Sequence, residues 1–336
     1  MSPVLEVEDL RTELALRTGV LRAVDGVSFV LDEGRTLGVV GETGSGKSMT
    51  ALSIMGLLPR PQGRITAGTV RLRKRNLAAL SDRELQGIRG REIGMIFQDP
   101  MTSLHPSLTI GVQVQEVLRR HLGLSKRAAR VRAIQLLSEV EIPKAEERID
   151  DYPHHFSGGM RQRVTIAMAI ACRPKLLIAD EPTTALDVSV QAGILRLLSD
   201  LQRRHGTAIL LITHDMGVIA EMADEVLVLY AGQVVEQAQT QDLFERPEHP
   251  YTEALLGALP RADTDDIRRR ALATIPGRPP LVTGPTSGCR FAPRCPYANH
   301  GPCANVDQEL REVRTGHWVR SAHPASERSM NASIST

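Results

Sequence analysis

Gly41-Glu-Thr-Gly-Ser-Gly-Lys-Ser48 follows the apolar run Leu37 to Val40. The run reads as a short buried strand, the glycines as a loop, and Lys47 as the start of a helix reaching about Leu58, before Pro59. Strand, glycine loop and helix in that order form a cradle for phosphates. Glycines let consecutive N–H groups turn inward, and a helix N-terminus adds roughly half a positive charge. On this reading Gly41, Glu42, Thr43, Gly44, Ser45 and Gly46 wrap the phosphates. Lys47 reaches the β- and γ-phosphates, and the Ser48 hydroxyl ligates Mg²⁺.

A phosphate loop needs an acid and a water-positioning group, and the chain offers both downstream. Leu176-Leu-Ile-Ala-Asp180-Glu181-Pro182 is an apolar strand delivering two adjacent carboxylates. Asp180 is placed to hold Mg²⁺ through water, and Glu181 to polarise the water that attacks the β–γ bond. Gln98 ends the strand Ile93 to Phe97 and is placed to touch Mg²⁺ and the attacking water. His214 follows the strand Ala208 to Thr213 and is placed to contact the γ-phosphate. Taken alone, Gln98 is a polar loop residue and His214 a strand-end surface histidine; the phosphate loop gives them meaning. Ser157-Gly158-Gly159 presents bare N–H groups and a hydroxyl at another helix start. One nucleotide does not need two phosphate sites in one chain. A head-to-tail dimer solves this, with Ser157, Gly158, Gly159 and Gln162 of one copy closing on the γ-phosphate held by the other.

The chain has 336 residues, a formal net charge of +2 and 3% aromatic residues. Near-neutral charge gives no bulk attraction to nucleic acid, and few aromatics argue against base-stacking platforms. The start shows no basic region followed by an apolar stretch. No apolar run approaches the ~20 residues that cross a bilayer. These features predict a cytoplasmic chain that docks peripherally on the membrane through a membrane protein.

Residues 4–36 carry short alternating segments that read as small strands with turns. Predicted helices lie near 110–122, 126–141 and 157–171, with a turn near 149–152, and a longer one over 188–205. Val226 to Tyr230 and Val234 to Glu236 read as a hairpin about Ala231-Gly232. From about residue 261 the composition shifts to Pro, Gly, Arg and Cys, marking an appended segment with little core of its own. Arg268-Arg-Arg270 and the pair His154-His155 read as solvated surface.

The ordered set of Gly41–Ser48, Gln98, Ser157–Gln162, Leu176–Pro182, Ala185-Leu-Asp187 and His214 resembles the ATP-binding cassette (ABC) family of transport ATPases over residues 4–260. Phe97-Gln-Asp-Pro-Met-Thr-Ser-Leu-His-Pro106, Glu181-Pro-Thr-Thr-Ala-Leu-Asp-Val188 and His249-Pro-Tyr-Thr-Glu-Ala-Leu-Leu256 resemble its oligopeptide/dipeptide importer branch. The resemblance implies an α/β fold: a P-loop NTPase (RecA-like) core, an antiparallel β subdomain, an α-helical signature subdomain and a small Cys-containing C-terminal extension. It implies a cassette over 1–260 with the helical subdomain about 101–160, an extension over 261–325, and a disordered tail over 326–336. It further implies ATP and Mg²⁺ at the site, and Asp187 bridging a dimer of two different cassette chains. Two transmembrane permease subunits would contact the helical region 103–156, and an extracytoplasmic binding protein would select peptides. Nickel or another small solute is the alternative cargo. A soluble cassette ATPase acting on ribosomes or DNA is the less favoured alternative. Where the family places an aromatic residue to stack on adenine, residues 5–28 have none; Arg17 or Arg22 would stack instead, or the base is loosely held. Phe156 stands where the family mostly has leucine.

Cys289, Cys295 and Cys303 cluster late in the chain without paired C-x-x-C zinc spacing. Cys295-Pro296 resembles ferredoxin-type ligand runs, and the resembled branch can carry a [4Fe-4S] cluster on four cysteines there. Ser321 stands where the fourth is expected, leaving His317 or His323 as candidates. Three-cysteine zinc and plain thiols are the alternatives. Cys172, alone in an apolar context, reads as core.

Overall fold

The structure is a computed structural model that describes residues 2–99, 103–184, 186–259, 275–284, 286–298 and 302–328. The expected Arg268–Arg270 surface run, and the expected tail beyond residue 328, lie outside the described residues.

Two antiparallel strands, β1 (Pro3–Leu16) and β2 (Gly19–Asp32), open the chain. They are long, where the sequence predicts small strands with turns. The cause is a set of bulges: β1 shifts register between Val7 and Leu10, although both are buried. A bulge breaks the period-two pattern without ending the strand. β4 (Gly63–Leu72) joins β1 and carries β5 (Arg75–Asn76), giving a four-stranded sheet ordered β2-β1-β4-β5.

The second sheet runs in the order β11 (Arg311–Arg314), β12 (His317–Val319), β10 (Gln233–Gln239), β9 (Glu225–Tyr230), β3 (Thr36–Val40), β8 (Ala208–Ile212), β7 (Leu176–Asp180), β6 (Ile93–Ile96). Its centre is parallel: β3 lies between β9 and β8, followed by β7 and β6. These strands are apolar on both faces because both faces are covered. Ile178, Leu210 and Ile212 face the first sheet and helix α1 (Lys47–Met55). Leu177, Ala179, Ile209 and Leu211 face a helical layer.

α1 ends at Met55, short of Leu58, because Gly56 takes the left-handed conformation at φ 62° and closes the helix. Residues 63–88, unassigned from sequence, form β4 and α2 (Asp82–Ile88), the latter opened by a Ser81/Glu84 capping box. The helical layer follows the prediction closely. α3 (Ile110–Leu122) starts on Thr109, ends on Gly123, and buries Ile110, Val114 and Leu118. α4 (Lys126–Glu139) starts on Ser125. The turn expected near 149–152 is present at residues 149–151, between a short helix, α5 (Ala145–Arg148), and a 3₁₀ turn over Pro153–His155. α6 (Gly158–Ile170) and α7 (Val188–His205) complete the layer.

The extension departs most from its reading. β12 (His317–Val319) pairs with β10 (Gln233–Gln239), and β11 (Arg311–Arg314) pairs with β12. The segment therefore continues the core sheet. Val282, Phe291, Cys303 and Val319 are buried, and Phe291 packs edge-on to Tyr230 at 5.2 Å between ring centres. A segment poor in apolar residues gains a core by borrowing one from the cassette. Ser326, placed in the expected tail, bonds Glu248.

Candidate active site

β3 delivers the chain to Gly41, and α1 leaves from Gly46. Both glycines are forced: φ is 154° and 106°, and a Cβ would sit 2.2 Å from the Leu229 carbonyl or 2.5 Å from that of Ala23. The Lys47 ammonium curls over the loop, donating to the Gly41 carbonyl at 2.6 Å and the Glu42 carbonyl at 3.0 Å. Burial pushes its pKa below the ordinary lysine value, against the pull of Glu181, Asp180 and Glu42.

The Ser48 hydroxyl donates to Asp180 at 3.1 Å. Burial raises the Asp180 carboxyl and the Glu181 charge adds to the rise; the Ser48 bond opposes it. A hydroxyl, a carboxylate and the nearby Gln98 amide form an oxygen-donor set that suits a hard cation such as Mg²⁺. Ser48, Asp180 and Gln98 would hold Mg²⁺ there, and the ion would supply positive charge to offset that of the phosphates.

Glu181 is the geometric centre of the site. Its φ is +49°, an unusual value for a side-chain residue, and such strain is stored where function needs it. One carboxylate oxygen accepts from Gln98 Nε2 at 2.9 Å and from the Thr184 hydroxyl at 2.9 Å; the other lies 3.1 Å from His214 Nδ1. Burial alone would raise this carboxyl. The His214 and Thr184 bonds, with the charges of His214 and Lys47, outweigh it and hold the group below its ordinary value. An ionised carboxylate poised over the phosphate loop is what a water-polarising base requires. Gln98, Glu181 and His214 are thus brought together from three strand ends. Thr184 was missed by sequence reasoning, although it lies three residues past Glu181.

The second phosphate motif sits elsewhere. Ser157 caps α6 by accepting from the Met160 N–H, and Ser157 and Gly158 face solvent. Neither lines the cavity about the phosphate loop. Gly159 has a packing reason: a Cβ would meet Val190 at 2.5 Å, so the glycine sets how closely α6 approaches α7. Gln162, expected to contact nucleotide, is 2% exposed and donates to the Pro182 carbonyl at 2.7 Å. Within the chain it ties α6 to the residue after Glu181. Asp187 is exposed and caps α7, accepting from Val190 N–H at 2.9 Å.

The extension reaches the phosphate loop directly, through groups that sequence reasoning did not find. Arg294 forks onto the Glu42 carboxylate at 2.6 and 3.0 Å, with its own side chain 4% exposed. Tyr251, in helix α8 (Pro250–Gly257), accepts from the Glu42 backbone N–H at 2.8 Å. No local spacing announces either contact, because the partners lie more than 200 residues apart.

The three late cysteines come together: the Cys289 N–H donates to the Cys303 carbonyl at 2.8 Å, and the charges of Cys295 and Cys303 act on the Cys289 thiol. Cys289 and Cys295 pack against the cluster of Tyr230, Tyr251 and Phe291, and burial raises both thiols. His317 is committed: its Nε2 lies 2.7 Å from buried Glu236, whose oxygens also take the N–H groups of Glu248 and His249. Among the described residues no group of three or more His, Cys, Asp or Glu side chains is arranged to hold a metal ion. The arrangement lends no support to the expected iron–sulfur cluster or to the zinc alternative. Cys172 is half-buried with its thiol raised by burial, as an inert core residue would be.

Comparison with known proteins decides the family. Residues 24–184 match the ABC transporter family, and residues 235–303 match the oligopeptide/dipeptide transporter C-terminal region. This chain is an ATPase of the ABC transporter family. It is 49% identical over 325 residues to the oligopeptide transport ATP-binding protein OppD of Bacillus subtilis, covering 96% of this chain and 89% of that protein. It is 51% identical to the dipeptide transport ATP-binding protein DppD of Bacillus subtilis (88% of each chain), and 52% identical to OppD of Salmonella typhimurium (88% of this chain, 87% of that one). Among solved structures, the dimeric post-hydrolysis cassette MJ0796 bound to ADP and Pi aligns with a TM-score of 0.63 at 30% identity, over 70% of this chain and 98% of that one. CbiO1 of Clostridium perfringens aligns with a TM-score of 0.62 at 27% identity, over 73% and 92%.

Proposed function

We propose that this chain powers uptake of di- or oligopeptides across the cytoplasmic membrane as one of a pair of ATPase subunits peripheral to two permease subunits. The observation that carries the chemistry is the Glu181 carboxylate, held by Gln98, Thr184 and His214 beside the Lys47–Ser48 loop. Peptide cargo rests on likeness over nearly the whole chain to peptide-transport ATP-binding proteins.

Two features support the assembly. Ser157 and Gly158 are exposed and remote from this chain's own loop cavity, so a second cassette chain, head to tail, would complete each chamber. A groove of about 330 Å³ beside Gln98 is lined by Met55, Leu57, Met95, Phe97, Val117 and Met168. Phe97 is 42% exposed and Leu57 37%. This groove gives the permease a place to dock where motion reaches Gln98 directly. Among the described residues no helix is long and apolar enough to cross a membrane. On this reading the cassette spans 1–260, and the extension from 261 is a structural part of its core sheet.

The test is reconstitution of the chain with its partner ATPase, permease subunits and binding protein in vesicles. ATP-dependent accumulation of labelled di- or oligopeptide is expected. Accumulation of nickel without peptide would overturn the cargo, and ATP hydrolysis indifferent to the permease would overturn the coupling.

A further inference from the structure

The cavity about the phosphate loop, of about 220 Å³, has two chemically distinct halves. One is polar: Thr43, Gly44, Gly46, Lys47, Ser48 and the carboxylate of Glu181. The other is apolar, and among the described residues no aromatic side chain belongs to it: Leu14, Leu21, Pro280, Leu281 and Val282. A purine continues away from its triphosphate into the apolar half and needs flat apolar surface there. We propose that Leu281, supported by Pro280, is the base-contact residue of this ATPase, and that the extension thereby supplies one wall of the nucleotide site. This rests on the reading of the loop as an ATP site.

Three observations place that wall. Leu14 and Leu21 are directly opposed in the β1–β2 register, so they share one face of the hairpin. Residues 280–283 run along the same hairpin: the Arg22 N–H donates to the Val282 carbonyl at 2.9 Å, and Thr283 lies 3.8 Å from where Gly19 would carry a Cβ. Val282 is buried, 4% exposed, in the cluster of Tyr230 and Phe291. Leu281, its neighbour in the chain, is 72% exposed and also lines the cavity, an apolar side chain held there by its anchored neighbour Val282. The alternatives from sequence fare less well. Arg17 does not line the cavity. Arg22 does, but its guanidinium lies 3.9 Å from Asp25, and Asp25 also holds Arg11 and Arg290.

The test compares ATP with inorganic tripolyphosphate, which uses only the polar half, on the full chain. In Leu281→Asp the affinity for ATP is expected to fall about tenfold, with tripolyphosphate binding unchanged. Leu281→Met, which keeps an apolar surface, is expected to retain ATP affinity. Leu281 is exposed, so neither variant threatens folding. The proposal is overturned if Leu281→Asp binds ATP normally, if both ligands weaken together, or if Arg22→Ala alone reproduces the loss. Failure of the parent chain to bind either ligand would instead sink the ATP-site reading beneath it.

Discussion

The two ends of the nucleotide site are built by opposite strategies. The phosphate end uses eight consecutive residues between a buried parallel strand and a helix, and it works through backbone N–H groups whose directions the glycines fix. The base end is assembled from an N-terminal hairpin and a segment some 260 residues later, and it works through side-chain surface. Backbone recognition tolerates no substitution at Gly41 or Gly46, where a Cβ meets a carbonyl oxygen. Side-chain recognition tolerates any residue of suitable shape. Catalysis should therefore be all-or-none at one end and graded at the other.

The largest expected effects sharpen that contrast at the phosphate end. Lys47→Ala removes the cation aimed at the phosphates and should abolish nucleotide binding. Glu181→Gln keeps the shape of the Gln98, Thr184 and His214 contacts but removes the base. Binding should persist while turnover falls by about 10²–10⁴. Single-turnover hydrolysis beside equilibrium ATP binding separates the two variants; near-normal turnover by Glu181→Gln in the assembled transporter would remove Glu181 from its role.

A smaller effect is expected where the extension meets the loop. Arg294 forks onto Glu42, but Glu42 is 28% exposed, so the carboxylate can turn to water when its partner is removed. Arg294→Ala should cost about 2 kcal/mol of stability and raise the KM for ATP several-fold, with kcat little changed. Arg294→Lys should recover only part of this, since an ammonium cannot fork. An unchanged KM with lost stability would show that the extension braces the loop without tuning it.

The same division explains what the sequence revealed. The loop, Asp180-Glu181, Gln98 and His214 were legible because each ends a strand of the parallel sheet, and apolar runs mark such strands. α3, α4 and α7 were legible from their caps and periodic apolar residues. β4 was overlooked although Thr69-Val-Arg-Leu72 alternates. The hairpin was shortened because its bulges interrupt the period. Arg294, Tyr251 and Leu281 were beyond reach: their meaning is tertiary, and a Pro-, Gly- and Cys-rich segment carries no periodic signal to place it. The packing of Cys289 and Cys295 against Phe291 and Tyr230 was out of reach for a related reason, since spacing does not show burial.

The smallest effect concerns whether the seal of extension on cassette is dry. His249 caps α8, its Nδ1 accepting from the Tyr251 N–H at 3.0 Å, and lies 5.9 Å from the Phe291 ring. Burial, with the charge of Arg328 nearby, lowers its pKa to about 3. The unfolded chain, with a histidine near 6.5, then binds a proton that the folded chain refuses. Stability is unaffected above that value and is lost as pH falls below it, by up to about 1.4 kcal/mol per pH unit until about 3. Urea midpoints at pH 7.5, 6 and 5 should show the loss. His249→Asn keeps a capping acceptor and carries no titratable proton, so its slope should be shallower by one proton. If the slope is the same in both, water reaches His249, and the extension lies against the cassette without closing over it. The graded behaviour expected of Arg294 would then reflect a loose contact, and the contrast between the two ends of the site would narrow to the loop alone.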